Sequence, residues 1–137
     1  MIDNVIKYFV GGDYMQAKNP FSPNILDRLE LDIETGMMYC ADSEDVYLDV
    51  LDEYRNDDKR AELKEFFDAA NWERYRISTH SVKSSSLTIG ATDLYEIARQ
   101  IEEPLKDMDF GPALRLHDDL MKAYSEVLDM LNRELDK

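Results

Sequence analysis

The chain has 137 residues, of which 44% are apolar and 34% are charged, a composition that suits one compact domain with a single core. The formal net charge of −14 repels nucleic-acid phosphates and anionic lipid head groups, which argues against both as partners. Cys40 is the only cysteine, which excludes an internal disulfide and a multi-cysteine zinc site. We interpret it as a buried free thiol in a reducing compartment.

The sequence contains no apolar run near the roughly 20 residues that a membrane-spanning helix needs. Its first residues, MIDNVIKYFVGGD, lack the basic flank and the long apolar stretch of a secretion signal. We therefore expect a cytoplasmic protein without a membrane partner.

Apolar residues recur at helical spacing almost throughout, whereas the alternation of a strand is nearly absent, so the sequence predicts an all-α fold. Residues 1–26 are predicted to be an N-terminal extension or linker. Within it, residues 2–10 place their apolar side chains on one face and predict a short amphipathic helix, which ends at two glycines. The compact domain is expected over residues 27–137.

Capping signals divide this domain into helices. Ser43 is predicted to cap a helix that runs to about residue 56, and a second helix is expected near 58–70. Asn71 is predicted to cap a third helix, which begins at Trp72 and ends at Gly90. The inward positions of the first two are Val46, Tyr47, Val50, Leu51, Tyr54, Leu63, Phe66, Phe67 and Ala70.

Two further helices complete the pattern. One carries an apolar stripe interrupted by Pro104, which is expected to kink the helix or end its regular part. The other is predicted to start at Pro112, which suits a first helical position, and its apolar seam has the spacing of a bundle. The short connections predict an antiparallel bundle. The stripes consist of Leu94, Ile97, Ala98, Ile101, Leu105 and Met108, and of Leu114, His117, Met121, Tyr124, Leu128, Leu131 and Leu135.

The helix predicted from Trp72 carries His80, one of two histidines in the chain. At about 100° per residue, Tyr75, Val82 and Ile89 fall on the side opposite His80, so the histidine is predicted to be exposed. Within about 60° of it lie two cations, a small hydroxyl and two apolar side chains. These neighbours are Arg76, Lys83, Ser84, Ile77 and Leu87.

An exposed imidazole between two cations is unusual in so acidic a protein. A neutral imidazole nitrogen is a nucleophile near neutral pH, and a lysine one turn away offsets the charge of a phosphoryl group placed on it. Ile77 and Leu87 offer an apolar contact surface to a partner. The alternative is that His80 is an exposed side chain without a function.

The stretch STHSVKSSSLTIGA, residues 78–91, resembles the active helix of the histidine-containing phosphotransfer (HPt) family of multistep phosphorelays. The family motif is a histidine, an apolar residue two positions later, a lysine, a glycine, several small residues, an apolar residue and a glycine. The resemblance covers about residues 30–135. The matching residues are His80, Val82, Lys83, Ser84, Ser85, Ser86, Ile89, Gly90 and Ala91, followed by Leu94, Ile97, Ala98, Ile101 and Glu102.

This resemblance implies an antiparallel four-helix bundle in which His80 accepts a phosphoryl group from the phospho-aspartate of one receiver domain and donates it to the aspartate of another. Lys83 would help to hold the phosphoryl oxygens. The implied partners are response-regulator receiver domains and a hybrid sensor histidine kinase, and the chain is expected to be a monomer. Mg²⁺ is expected from the receiver, and we assign neither a cofactor nor a metal site to this chain. The remaining residues of the implied phosphate and partner surface are Ser84, Arg76, Ile77 and Leu87.

Two positions depart from the family motif. Val82 replaces the usual leucine, which is a conservative change at a core position. Ser84 replaces glycine and adds a side chain where a partner approaches. Ser84 would slow transfer, narrow the choice of partner, or hydrogen-bond to the phosphoryl oxygens or the imidazole.

His117 occupies a seam position of the last helix and is interpreted as a buried histidine that is satisfied by a hydrogen bond. The sequence contains no nucleotide-binding glycine pattern and no zinc motif, so we expect a phosphoryl carrier and not an enzyme. The alternative function is a helical interaction domain that binds a receiver or another signalling protein without being phosphorylated.

Overall fold

The computed structural model describes residue 19 and residues 21–137. In that part of the chain every regular element is a helix, which confirms the all-α prediction. The helix predicted over residues 2–10 lies outside the described residues. The helices are α1 (Ile25–Arg28), α2 (Ile33–Tyr39), α3 (Glu44–Asn56), α4 (Arg60–Asp68), α5 (Trp72–Ile89), α6 (Thr92–Lys106) and α7 (Gly111–Leu135).

Among the described helices, none combines the length and the apolar character that crossing a bilayer requires.

The predicted caps set the ends of α3 and α5. The Ser43 side chain accepts a hydrogen bond from the backbone N–H of Val46, and Asn71 accepts one from that of Arg74, so each satisfies a free N–H of a first turn. At the other end of α5, Gly90 has a φ of 85°, in the left-handed region that favours glycine. A Cβ atom at this position would lie 2.1 Å from the carbonyl oxygen of Asp32. The structure therefore confirms both predicted ends of α5.

Helix α5 lies at the centre of the fold. It packs against α6, α4, α2 and α3, and α7 packs against α6, α3, α4 and α1. The buried face of α5 carries small polar residues, which let the neighbouring helices approach closely. These residues have hydrogen-bond partners: Ser86 Oγ lies 2.9 Å from the Tyr54 hydroxyl, and Thr79 Oγ1 donates to the carbonyl oxygen of Tyr75. Because these groups are paired, their burial carries little penalty.

Several side chains predicted to point inward are exposed. Leu114 is 63% exposed, because Ala113, four residues before His117, occupies the inward position of α7 instead. Met108 is 75% exposed, since it lies beyond the end of α6 in a turn with a φ of 59°. Val46 in the first turn of α3 and Ala70 in the turn after α4 are exposed as well.

Helix α6 continues through Pro104 to Lys106. The carbonyl oxygen of Pro104 then accepts hydrogen bonds from the N–H groups of Asp107 and Asp109. The regular helix thus does not end at Pro104, as one form of the prediction expected, but continues two residues beyond it.

Candidate functional site

His80 and Lys83 on α5 face Glu102 on α6, and the three side chains form one hydrogen-bonded unit. Only a short connection at Gly90 separates α5 from α6, so the two helices pack antiparallel. This packing brings His80 and Lys83 close to Glu102. His80 Nδ1 lies 2.9 Å from Glu102 Oε1, and Lys83 Nζ donates to the same oxygen at 2.7 Å. Glu102 itself has no exposed surface.

The buried Glu102 carboxyl is ionised. Burial raises its pKa, but hydrogen bonds from Lys83 and His80 and the charges of Lys83 and Lys106 outweigh that effect and lower the pKa to about 2. An ionised carboxylate can only accept hydrogen bonds, so the proton in the contact with His80 must lie on Nδ1. In the neutral form of the ring, the free lone pair therefore lies on the other nitrogen, Nε2.

The His80 side chain is 54% exposed, which confirms that it lies on the outer face of α5. One edge of the imidazole is thus fixed by a buried carboxylate while the ring remains accessible. A carboxylate that holds one ring nitrogen sets both the tautomer and the orientation of the ring. The arrangement presents an imidazole of fixed orientation at the surface.

Lys83 occupies a different position from the one predicted. The sequence places it on the exposed strip beside His80, but its side chain is only 16% exposed and its ammonium is bound to Glu102. The wheel projection of a single helix does not include α6, which covers this side of α5. In the structure, Lys83 therefore neutralises the buried carboxylate of Glu102.

The other predicted neighbours of His80 differ in exposure. Ser84 is exposed, and Ile77 is 52% exposed, so both are available to a partner. Arg76 and Leu87 are half-buried. An apolar contact surface beside His80 thus rests mainly on Ile77.

Glu102 and Lys106 are the residues that the sequence did not assign to the site. Glu102 lies four residues after the buried Ala98, which lies four residues after the buried Leu94, so a glutamate continues an apolar row of α6. An acidic residue at such a position requires a buried partner, and this is the signal that could have identified it. Lys106 Nζ lies 3.4 Å from Glu102 Oε2. We call these four residues, His80, Lys83, Glu102 and Lys106, the Glu102 cluster.

The second histidine is buried, as predicted. His117 Nδ1 lies 2.7 Å from the Tyr75 hydroxyl, and its ring stacks on Phe67 with a centroid distance of 3.8 Å. Burial lowers the pKa of His117, which favours the neutral ring. His117 is therefore part of the core, where the sequence analysis placed it.

The part of the chain that the structure describes contains no group of three or more His, Cys, Asp or Glu side chains placed to hold a metal ion. Comparisons of the chain with protein-family models, with curated proteins and with solved structures found no significant match.

Proposed function

We propose that this chain is a histidine phosphotransfer protein or domain, in which His80 carries a phosphoryl group between receiver-domain aspartates. The observation that carries the proposal is the contact between His80 Nδ1 and the buried, ionised Glu102. In the neutral ring this contact makes Nε2 the nitrogen that is available for nucleophilic attack, on a side chain that is half-exposed. The resemblance of residues 78–91 to the HPt motif supports the same function.

In the proposed transfer, the lone pair of His80 Nε2 forms a bond to phosphorus. The bond between phosphorus and the aspartyl oxygen breaks, and its electron pair returns to the receiver's carboxylate. No proton has to leave the ring, because Nδ1–H remains hydrogen-bonded to Glu102. The positive charge that the ring acquires faces the Glu102 carboxylate, which stabilises it.

The finer architecture of the chain is part of the proposed function. Helices α3, α5, α6 and α7 are taken as the four-helix bundle of the HPt family, with residues 1–26 as an extension. In support, α5 packs on α3 and α6, and α7 packs on the same two helices, so the four contacts close a ring. The proposed partners are a hybrid sensor histidine kinase and response-regulator receivers, which would supply Mg²⁺ through their own carboxylates.

The decisive experiment incubates the protein with a phosphorylated receiver domain and Mg²⁺. We expect an acid-labile, base-stable phosphate on the wild-type chain and none on His80→Gln. Peptide mass spectrometry should place the label on His80 and not on His117. Because His80 is half-exposed, the substitution is expected to leave the fold intact, which circular dichroism checks.

The competing function is an interaction domain that binds a receiver or another signalling protein without phosphorylation. It predicts that the His80→Gln protein binds its receiver as tightly as the wild type and that neither protein is labelled. A phosphate that persists on the chain after His80→Gln would also refute the proposed carrier.

A further inference from the structure

The two lysines of the Glu102 cluster are bound in different ways. Lys83 is largely covered and donates a 2.7 Å hydrogen bond to Oε1, whereas the Lys106 side chain is 52% exposed and its Nζ lies 3.4 Å from Oε2. Of the two cations, Lys106 is the one held loosely.

Glu102 Oε2 is itself unusual. Among the side chains that the structure describes, it is the buried oxygen or nitrogen atom without a hydrogen-bond partner. Oε1, in contrast, is shared by His80 Nδ1 and Lys83 Nζ. Lys106 thus contributes charge to the carboxylate without a formed hydrogen bond.

These differences determine which lysine can move at low cost. If Lys83 turned toward a phosphoryl group, it would break a short hydrogen bond to a carboxylate that has no contact with water, which is costly. If Lys106 moved, the carboxylate would lose the smaller of the two lysine charges that lower its pKa, but no hydrogen bond would be lost. Lys83 and His80 would still satisfy Oε1. A phosphoryl group on Nε2 brings negative charge to the outer side of the ring, and the Lys106 side chain beside Glu102 is exposed enough to turn toward it.

We propose that Lys106 is the cation that pairs with the phosphoryl oxygens on His80, while Lys83 remains on Glu102 and acts as a positioning residue. This inference rests on the proposed function, because it requires phosphorylation of His80. It reverses the roles that the sequence suggests, in which Lys83 holds the phosphoryl group and Lys106 has none.

The test uses phosphoramidate as the phosphoryl donor, so that docking of a partner protein does not contribute. The Nε2 lone pair forms the new bond to phosphorus, and the donor's P–N bond breaks with release of ammonia. We expect Lys106→Met to lower the rate of His80 phosphorylation about three- to fivefold, with substantial recovery in Lys106→Arg. The matched control is Lys122→Met, which removes an exposed lysine of α7 and should leave the rate unchanged.

A double-mutant cycle separates direct from indirect action. In a Glu102→Gln background, the effect of Lys106→Met should persist, since Lys106 contacts the phosphoryl group itself. The effect of Lys83→Met should largely disappear, since Lys83 acts through Glu102. A Lys106 effect that vanishes in this background, or a rate unchanged by Lys106→Met, would overturn the inference and leave the carrier function standing. A wild-type chain whose His80 is not labelled would instead count against the carrier function itself.

Discussion

In the part of the chain that the structure describes, two glutamates are buried, each beside three cationic or potentially cationic side chains. They differ in how many of their carboxylate oxygens are hydrogen-bonded. Glu102 contacts His80, Lys83 and Lys106. Glu134 on α7 contacts Arg28 on α1 and, near the chain end, Arg133 and Lys137. We call the second group the Glu134 cluster. Hydrogen bonds lower the pKa of Glu134 to about 2, the same value as for Glu102.

The difference lies in the second carboxylate oxygen. Both oxygens of Glu134 accept hydrogen bonds, Oε1 from Arg28 and Lys137 and Oε2 from Arg133. In Glu102, Oε2 has no hydrogen-bond partner, and one of the two partners of Oε1 is the exposed imidazole of His80. The Glu134 cluster therefore joins the N-terminal part of the described chain to its C-terminal helix. The Glu102 cluster instead has an unpaired carboxylate oxygen and lies beside an exposed imidazole. The fully paired cluster links two parts of the described chain, and the incompletely paired one is the cluster that we propose takes part in phosphoryl transfer.

The largest expected effect is on phosphorylation, from Glu102→Gln. The amide removes the charge that faces the ring and no longer enforces the proton on Nδ1, since Gln can also donate. By analogy with carboxylates that orient metal-bound histidines, we expect a rate of His80 labelling lower by about tenfold or more. The initial rate with a phosphorylated receiver measures this, and an unaltered rate would remove Glu102 from the mechanism.

The matching change, Glu134→Gln, should lower the stability of the fold without affecting the phosphorylation of His80. It weakens hydrogen bonds from Arg28 and from the half-exposed Arg133 and Lys137, so we expect a loss of about 1 kcal/mol in the free energy of unfolding. The labelling rate of His80 should stay at the wild-type value. Urea unfolding and the same labelling assay measure the two quantities. A slower labelling rate in this variant would contradict the division between the clusters.

The smallest expected effect is a change in the pH dependence of the free energy of unfolding, to which both clusters contribute. Each carboxyl has a pKa of about 2 in the folded protein against an ordinary value of 4.5. The unfolded chain therefore binds more protons between these values, so this part of the stability is complete above pH 4.5 and is lost as the pH falls toward 2. In the protein with both Glu102→Gln and Glu134→Gln, the free energy of unfolding should fall less steeply across that window. His117, whose pKa is lowered by burial, is present in both proteins, so equal slopes would contradict the prediction.

Local signals in the sequence predicted much of this structure. Ser43, Asn71 and Gly90 mark helix ends through their own side chains or backbone, so these ends could be read without knowledge of the fold. The exposure of His80 and the burial of His117 likewise follow from the period of a single helix.

The contents of the site could be predicted only in part, because they depend on which helix packs against α5. The pairing of Lys83 with Glu102 joins residues 19 positions apart, and no helical period relates them. Leu114 was predicted wrongly for a similar reason: on α7 it lies one position from Ala113, and only the packed neighbours decide which of the two faces inward. Contacts between helices, more than helix formation, escape sequence reasoning here.

The stack of His117 on Phe67 has a consequence for stoichiometry. The chain has two histidines, and the core encloses one of them between an aromatic ring and a tyrosine hydroxyl. Each molecule thus offers a single imidazole to its surroundings. A reagent that modifies exposed histidines can therefore react at most once per chain. The extent of modification then directly gives the fraction of molecules that have reacted.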